Sequence, residues 1–231
     1  MIHLNIISEG STEEAFVNNV LRSHFASMGI YVNTRKILTG WNKFDRRPAK
    51  GGLLKYAHFK NDVCRWIDSD NGKPNTYYTS MVDLYQFPRN KESPYKREIQ
   101  QISDPFLKVR TLEDAIGRDI DHPYFIPYVQ LHEFEALLLA DPEKLLVLYP
   151  DKKNKVDKLK KEISGMHPEE INEKPETAPS KRIIRYIPEY EGQKAQVAPL
   201  VAEDIGLFRL RERCDHFNEW ITKLEKLAAT D

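Results

Sequence analysis

An α/β fold, a mostly parallel sheet flanked by helices and followed by a helical C-terminal extension, is what this sequence predicts. Three observations lead there. Strand-type apolar runs alternate with helix-period segments as far as Gln130, and only helical periodicity follows Leu131. The chain of 231 residues is also long enough to bury a sizeable core. The expected division is an α/β domain over 1–150 and a helical region over 151–231 packed on it.

Ile2 to Ser8 alternates apolar and polar residues and reads as the first strand. Gly10 breaks it, and Ser11 followed by Glu14 has the spacing of a capping box. Phe16, Val17, Val20, Leu21, Phe25 and Met28 then recur at helical spacing until Gly29 stops the helix. Ile30 to Leu38 reads as a second strand, and Gly40 to Gly52 as a loop. A helix from about Leu54 to Asp68 ends at Asp70-Asn71-Gly72 and Pro74. Tyr77 to Leu84 is rich in Tyr, Thr and Val, as strands are. Thr111 to Ile120 looks helical, and Tyr124 to Gln130 is a further strand in which Pro127 demands an edge position or a distortion.

In the C-terminal region, Asp141-Pro142 has the cap and first position of a helix. Gly165, Pro168, Pro175 and Pro179 mark an irregular connector. A last helix over about Arg209 to Ala228 carries Leu210, Cys214, Phe217, Ile221 and Leu224 on one stripe, buried against the body or against a second copy.

The 35 Lys and Arg balance 35 Asp and Glu, with mean hydropathy -0.60, which removes the bulk basicity of many sequence-independent DNA binders. No apolar run approaches the roughly 18 residues a spanning helix needs. The Met1 to Ile7 run lacks the basic lead and cleavage site of a signal peptide. Cys64 and Cys214 make neither a disulfide framework nor a metal clip. These features lead us to expect a reduced, soluble, cytoplasmic protein.

Chemistry is expected beyond the carboxyl ends of parallel strands, where loops open a crevice. The first strand leads into Glu9, the Tyr77 to Leu84 strand delivers Asp83, and the last strand runs into His132-Glu133-Phe134-Glu135. Carboxylates gathered at one sheet edge repel one another, and a divalent cation such as Mg²⁺ relieves this. Glu13 begins the buried stripe of its helix and so faces the strand ends, unless it is simply a first-turn acid at the helix dipole. Capping accounts for Glu14. Glu133 and Glu135 are two apart and cannot share one helical face, so either of them can point into the crevice. His132 reads as a packed histidine rather than a ligand. Asp83, closing an apolar strand, needs a partner, which a cation, a lysine or a helix N-terminus would supply.

The segments Ile7-Ser-Glu-Gly-Ser-Thr-Glu-Glu14, Met81-Val-Asp-Leu-Tyr85 and Gln130-Leu-His-Glu-Phe-Glu-Ala-Leu-Leu138 resemble a bacterial family defined by a domain of unknown function. Thr177-Ala-Pro-Ser-Lys-Arg-Ile183 and Arg213-Cys-Asp-His-Phe-Asn-Glu-Trp220 fit it too. That family in turn resembles a branch of the TOPRIM superfamily. The resemblance implies a compact α/β domain whose first-strand Glu and later Asp-x-Asp bind Mg²⁺ or Mn²⁺. Glu9 takes the first role and Asp83 the second, while Tyr85 stands where the second Asp is usual and Glu133 or Glu135 would make up the ligand. The Glu9-x-x-x-Glu13 spacing is similar to that of TOPRIM nucleases of the overcoming-lysogenisation-defect type, which makes Glu13 a further ligand or base. A topoisomerase gate or a primase template domain would not fit in the remaining length, whereas metal-assisted phosphodiester hydrolysis needs only clustered acids.

The expectation is therefore a nuclease acting on DNA or RNA. By the same resemblance it would serve in phage defence beside an ATPase partner, with a homodimer permitted. The alternative is a degenerate module that binds nucleic acid or protein. Nucleotide chemistry ranks last, since no Walker-type glycine run is present.

Three basic stretches bear on nucleic-acid binding. The Gly40 to Gly52 loop carries Trp41, Lys43, Arg46, Arg47 and Lys50, which is either a strand-holding surface or an ordinary solvated loop. The lysines from Lys152 to Lys161 surround Val156, Leu159 and Ile163 and read as a solvated helix face. Ser180, Lys181, Arg182 and Arg185 open a short helix after Pro179, and the Lys181-Arg182 pair is the preferred phosphate contact. Tyr186 and Tyr190 beside them would equally fill core space.

Overall fold

The computed structural model describes residues 1–42, 47–50, 53, 55–85, 87–171 and 175–229. Its main sheet is wholly parallel. β1 (Ile2–Ser8) lies between β2 (Ile30–Lys36) and β5 (Thr76–Asp83), and β6 (Phe125–Ile126) and β7 (Val129–Gln130) both pair with β5 on the outer side. The alternation in β1 sorts its side chains between two cores. Leu4 and Ile6 join one with α1 (Ser11–Phe16) and the C-terminal helices, while Ile7 joins the other with α3 (Tyr56–Asp70) and α5 (Pro105–Ile120). The sheet is thus covered on both faces, as parallel sheets require.

α1 continues through a π-helical turn (Val17–Leu21) into α2 (Arg22–Ala26), and the expected stripe from Phe16 to Phe25 is buried. Met28 is not part of it. It falls in the turn closed by Gly29 at φ +76° and is exposed. The expected capping box also shifts by one residue. Gly10 is the N-cap and donates its N–H to Glu13 at 2.7 Å, whereas Glu14 pairs with Lys36 at 3.1 Å.

The Gly40 to Gly52 segment is not a plain loop. β3 (Leu38–Asn42) and β4 (Arg47–Lys50) form an antiparallel hairpin that starts where β2 ends. Lys43 and Arg46 lie outside the described residues, and only the backbone of Arg47 is described.

α3 ends as expected, at Asn71 with left-handed φ 47° followed by Gly72. After the short α4 (Arg97–Gln100), α5 starts earlier than its apolar periodicity suggests. The Asp104 carboxylate accepts the Leu107 N–H at 2.8 Å, and Pro105 takes the first turn. The anticipated Tyr124 to Gln130 strand is split at Pro127 and Tyr128 and sits at the sheet edge, with the same register on β5 either side of the break. The Ser80 hydroxyl bridges the gap, accepting the Tyr128 N–H and donating to the Tyr128 carbonyl, each at 3.0 Å.

Among the described residues, only helices follow β7. They include α6 (Glu135–Leu138), a 3-10 turn behind Asp141 (Pro142–Val147), α7 (Lys153–Glu162), α8 (Pro179–Tyr186), α9 (Lys194–Ile205), α10 (Leu207–Arg213) and α11 (Asp215–Glu225), with shorter 3-10 turns between and after them. The long final helix anticipated from its stripe is two helices, broken at Cys214. The carboxylate of Glu169 accepts the N–H groups of His216 and Phe217 at 2.9 and 3.1 Å, so α11 begins there as a separately capped helix. The stripe residues Leu210, Cys214, Phe217, Ile221 and Leu224 are all buried within the chain, against its own body. They therefore offer no face to a second copy.

Candidate functional site: a nest of carboxylates

The sheet ladder delivers acids to one edge. The Glu9 N–H donates to the Met81 carbonyl at 3.0 Å, carrying the β1–β5 pairing one residue past Ser8. Asp83 ends β5 opposite Gln130, and the Tyr85 N–H donates to the His132 carbonyl at 2.7 Å. His132 then takes a left-handed φ of 64°, which turns the chain from β7 into α6 and places Glu133 and Glu135 over the same edge.

The side chains interlock. One oxygen of Glu9 accepts the Asp83 N–H at 2.9 Å and the other accepts the Leu53 N–H at 3.2 Å, which ties the segment returning from the hairpin to this edge. Glu13 is only 6% exposed and turns back onto the Gly10 N–H. Glu133 accepts the Ser180 N–H at the start of α8 at 2.9 Å. Glu135 accepts from the Tyr190 hydroxyl at 3.1 Å and faces the Lys194 ammonium at 3.7 Å. Oδ1 of Asp83 is buried without a hydrogen-bond partner among the described residues.

Burial and mutual repulsion raise these acids together. Burial above all, then the charges of Glu9, Glu13, Glu135 and Glu133, push Asp83 well above the usual carboxylate range. Glu13 is pushed up to about 7, chiefly by burial and then by Glu9. Burial raises Glu9 against two opposing N–H groups, and burial followed by Glu133 raises Glu135. Glu133 and Glu135 both act on Asp83, and Glu135 acts on Glu13 as well. Among the described residues, no Lys or Arg forms an ion pair with Glu9, Glu13, Asp83 or Glu133, and Lys194 is the cation paired with Glu135.

The five acids singled out in the sequence, Glu9, Glu13, Asp83, Glu133 and Glu135, are thus brought into one electrostatic cluster. His132 packs instead. Burial first and Lys108 second push its imidazole down to about 4, and it hydrogen-bonds to the Glu169 backbone. Among the described residues, no three His, Cys, Asp or Glu side chains form a ready-made ligand set for a metal ion.

The cations fare differently. Arg182 is not a surface residue. It is 5% exposed, with its guanidinium on Glu162 and, at 2.8 Å, on the Thr177 carbonyl. Lys181 is exposed beside Glu191 at 3.5 Å. Lys152, Lys153 and Lys160 lie on a solvated face, paired with Glu189 and Glu143. Tyr190 fills core space.

Sequence reasoning missed the residues that hold the cluster from behind: Ser180, Tyr190 and Lys194. No local signal marks them, because their partners lie some 47–59 positions away in the chain. It also missed a second buried group, in which Glu113 accepts the Val129 N–H at 2.8 Å and meets His216 at 3.0 Å.

A parallel α/β sheet crowned by buried acids and closed by C-terminal helices defines the class of protein. Residues 8–225 match the family described as Domain of unknown function (DUF4276), and the chain belongs to it. No curated protein and no solved structure matches the chain.

Proposed function

We propose that this protein is a Mg²⁺- or Mn²⁺-dependent nuclease that hydrolyses phosphodiester bonds in DNA or RNA. The observation that supports it most is Asp83, whose buried Oδ1 has no hydrogen-bond partner among the described residues while Glu9, Glu13, Glu133 and Glu135 crowd it. An orphaned carboxylate oxygen among acids fits a hard cation. Mg²⁺ takes one or two carboxylates together with water and substrate phosphate, so it does not need three protein ligands.

Asp83 together with one of its acidic neighbours, Glu9, Glu133 or Glu135, would hold the metal. The cation, when bound, activates water and offsets charge on the phosphate. Glu9 fixes the Asp83 backbone through its 2.9 Å hydrogen bond. Glu13, which burial and then Glu9 push up to about 7 when no cation is bound, would be the acid that accepts a proton from water. Lys194 holds Glu135 from the helical side. Leu53, which follows the β3–β4 hairpin in the chain, hydrogen-bonds to Glu9, and Lys181, an exposed cation, follows the Ser180 that holds Glu133, so both segments would be candidates to meet a nucleic-acid backbone.

The test is cleavage of labelled DNA and RNA with and without Mg²⁺ or Mn²⁺. Cleavage should disappear in Glu9→Gln and Asp83→Asn while circular dichroism shows both variants folded. Wild-type rates in both would end this assignment.

A second reading, a non-catalytic module binding nucleic acid or protein, is favoured by Tyr85 in place of an acid and by the lack of a ready-made three-residue ligand set among the described residues. Calorimetric titration separates the two, since only a metal enzyme gives saturable Mg²⁺ or Mn²⁺ binding that Asp83→Asn abolishes. We further infer a cytoplasmic role in phage defence beside an ATPase. Phe208 of α10, 82% exposed, supports a protein partner. Among the described residues, no helix is long and apolar enough to cross a membrane.

A further inference from the structure

A cavity of about 200 Å³ opens at the amino edge of the sheet, across the full length of β5 from the carboxylates. The residues that line it include Tyr77, Tyr78, His122 and Tyr124, together with Lys73 and Asn75 of the turn before β5. The rings meet edge to face. Tyr77 and Tyr124 stand 5.3 Å apart, His122 and Tyr78 5.7 Å, and His122 and Tyr124 5.8 Å. An aromatic cluster of this kind offers further edge-to-face or stacking contacts to a flat guest, and Tyr124 is its most exposed ring.

Three further features suit a ligand that is aromatic, polar and anionic. Nδ1 of His122 is buried with no hydrogen-bond partner among the described residues, and a buried polar atom of this kind calls for one. The Lys73 side chain is 65% exposed and makes only a long contact, 3.4 Å, to Asp70. Asn5 and the Tyr78 hydroxyl both donate to one oxygen of Asp70 at 2.8 Å, and Lys73 meets the other through a mostly solvated side chain, a pairing weak enough to yield to another anion. Finally, the rim is a fixed turn. Asn71, Gly72 and Asn75 all take left-handed φ, and the Asn75 carbonyl accepts the His3 N–H at 2.8 Å, which anchors the turn to β1. Tyr124, 52% exposed, is placed to cover a bound ring.

We propose that this cavity binds a nucleotide, its base laid against Tyr77, Tyr124 and His122 and its phosphate met by Lys73. The base supplies the aromatic face and an exocyclic amino or ring N–H group for His122, and the cavity has room for one base. The same chemistry comes from a free mononucleotide or from the end of a strand.

The experiment is titration calorimetry on the full chain in EDTA, so that metal-dependent binding at the carboxylates does not contribute. The probes are AMP, GMP, CMP, UMP, their nucleosides, and short oligonucleotides with a terminal phosphate. Saturable binding of at least one nucleotide is expected, weakened roughly five- to hundredfold in Tyr124→Leu, the range that loss of one stacking partner produces. His122→Phe should weaken it as well. Lys73→Ala should weaken nucleotides but not nucleosides. Tighter binding of oligonucleotides than of mononucleotides identifies a strand end, and the reverse identifies a free nucleotide. The proposal is overturned if no nucleotide or oligonucleotide binds, or if binding is unchanged in both Tyr124→Leu and His122→Phe. Because it is read without metal and with variants at the opposite sheet edge, its failure leaves the nuclease reading untouched.

Discussion

The carboxylate of Glu9 accepts the backbone N–H of Asp83 at 2.9 Å, so the acid that follows the central strand is clamped to the acid that ends its neighbour. An oxygen so engaged sets the spacing of the two side chains without neutralising either. The clamp keeps like charges together, at a cost that a cation would remove.

Asp83→Asn removes the cost of either ionising that buried acid or holding its proton. In EDTA at pH 8 the variant should melt higher than the wild type, by about 2–4 °C for each kcal/mol of repulsion and desolvation relieved. With saturating Mg²⁺ the order should reverse, because only the wild type gains from the ion. Scanning calorimetry under both conditions checks this, and a lower melting temperature for Asp83→Asn in EDTA contradicts it.

Glu13 gives the pH dependence. The native protein keeps this proton up to about 7, while the unfolded chain releases it near 4.5. The unfolded chain therefore binds fewer protons across that window, and stability falls as pH rises through it. The displacement corresponds to roughly 3 kcal/mol, spread over the coupled acids. Urea unfolding from pH 4.5 to 8 in EDTA should show the fall, and Glu13→Gln should flatten it. A rise in stability across the same range would refute the assignment.

Much of this arrangement was legible in the sequence, and the reasons differ by element. β1, β5 and the first helix declare themselves because each buries a face whose period is local. Pro127 announced the split edge strand because a residue without an N–H must interrupt a ladder. The Cys214 break was hidden because the apolar stripe runs through it unbroken. Its cause, Glu169, lies 47 residues before His216 and in another segment. The burial of Arg182 was hidden for the same reason, since Glu162 reaches it from the preceding helix. The hairpin of β3 and β4 escaped notice because glycine and charge dominate its sequence and no alternation marks it.

Glu169→Ala should be among the more damaging single changes. It orphans two buried N–H groups at the start of α11 and leaves a cavity, which together cost about 2–4 kcal/mol. Chemical denaturation should show that loss. A variant as stable as the wild type would mean that α11 does not depend on this cap.

Arg182→Met tests the reassignment of that residue from phosphate contact to buried ion pair. It should destabilise the fold by about 2 kcal/mol, less than a fully buried pair would, because Glu162 keeps Arg185 and Tyr186. Binding to a labelled oligonucleotide, measured by fluorescence anisotropy, should change less than in Lys181→Ala. The opposite ranking would return Arg182 to the surface.

Glu133 rests on Ser180 at the head of α8, and Glu135 on Tyr190 and on Lys194 at the head of α9. During synthesis, β1, β5 and β7 all leave the ribosome before those supports exist. The acid centre consequently stays unfinished in the nascent chain, and a polypeptide cut short before Ser180 would carry all five carboxylates with nothing to seat the last two.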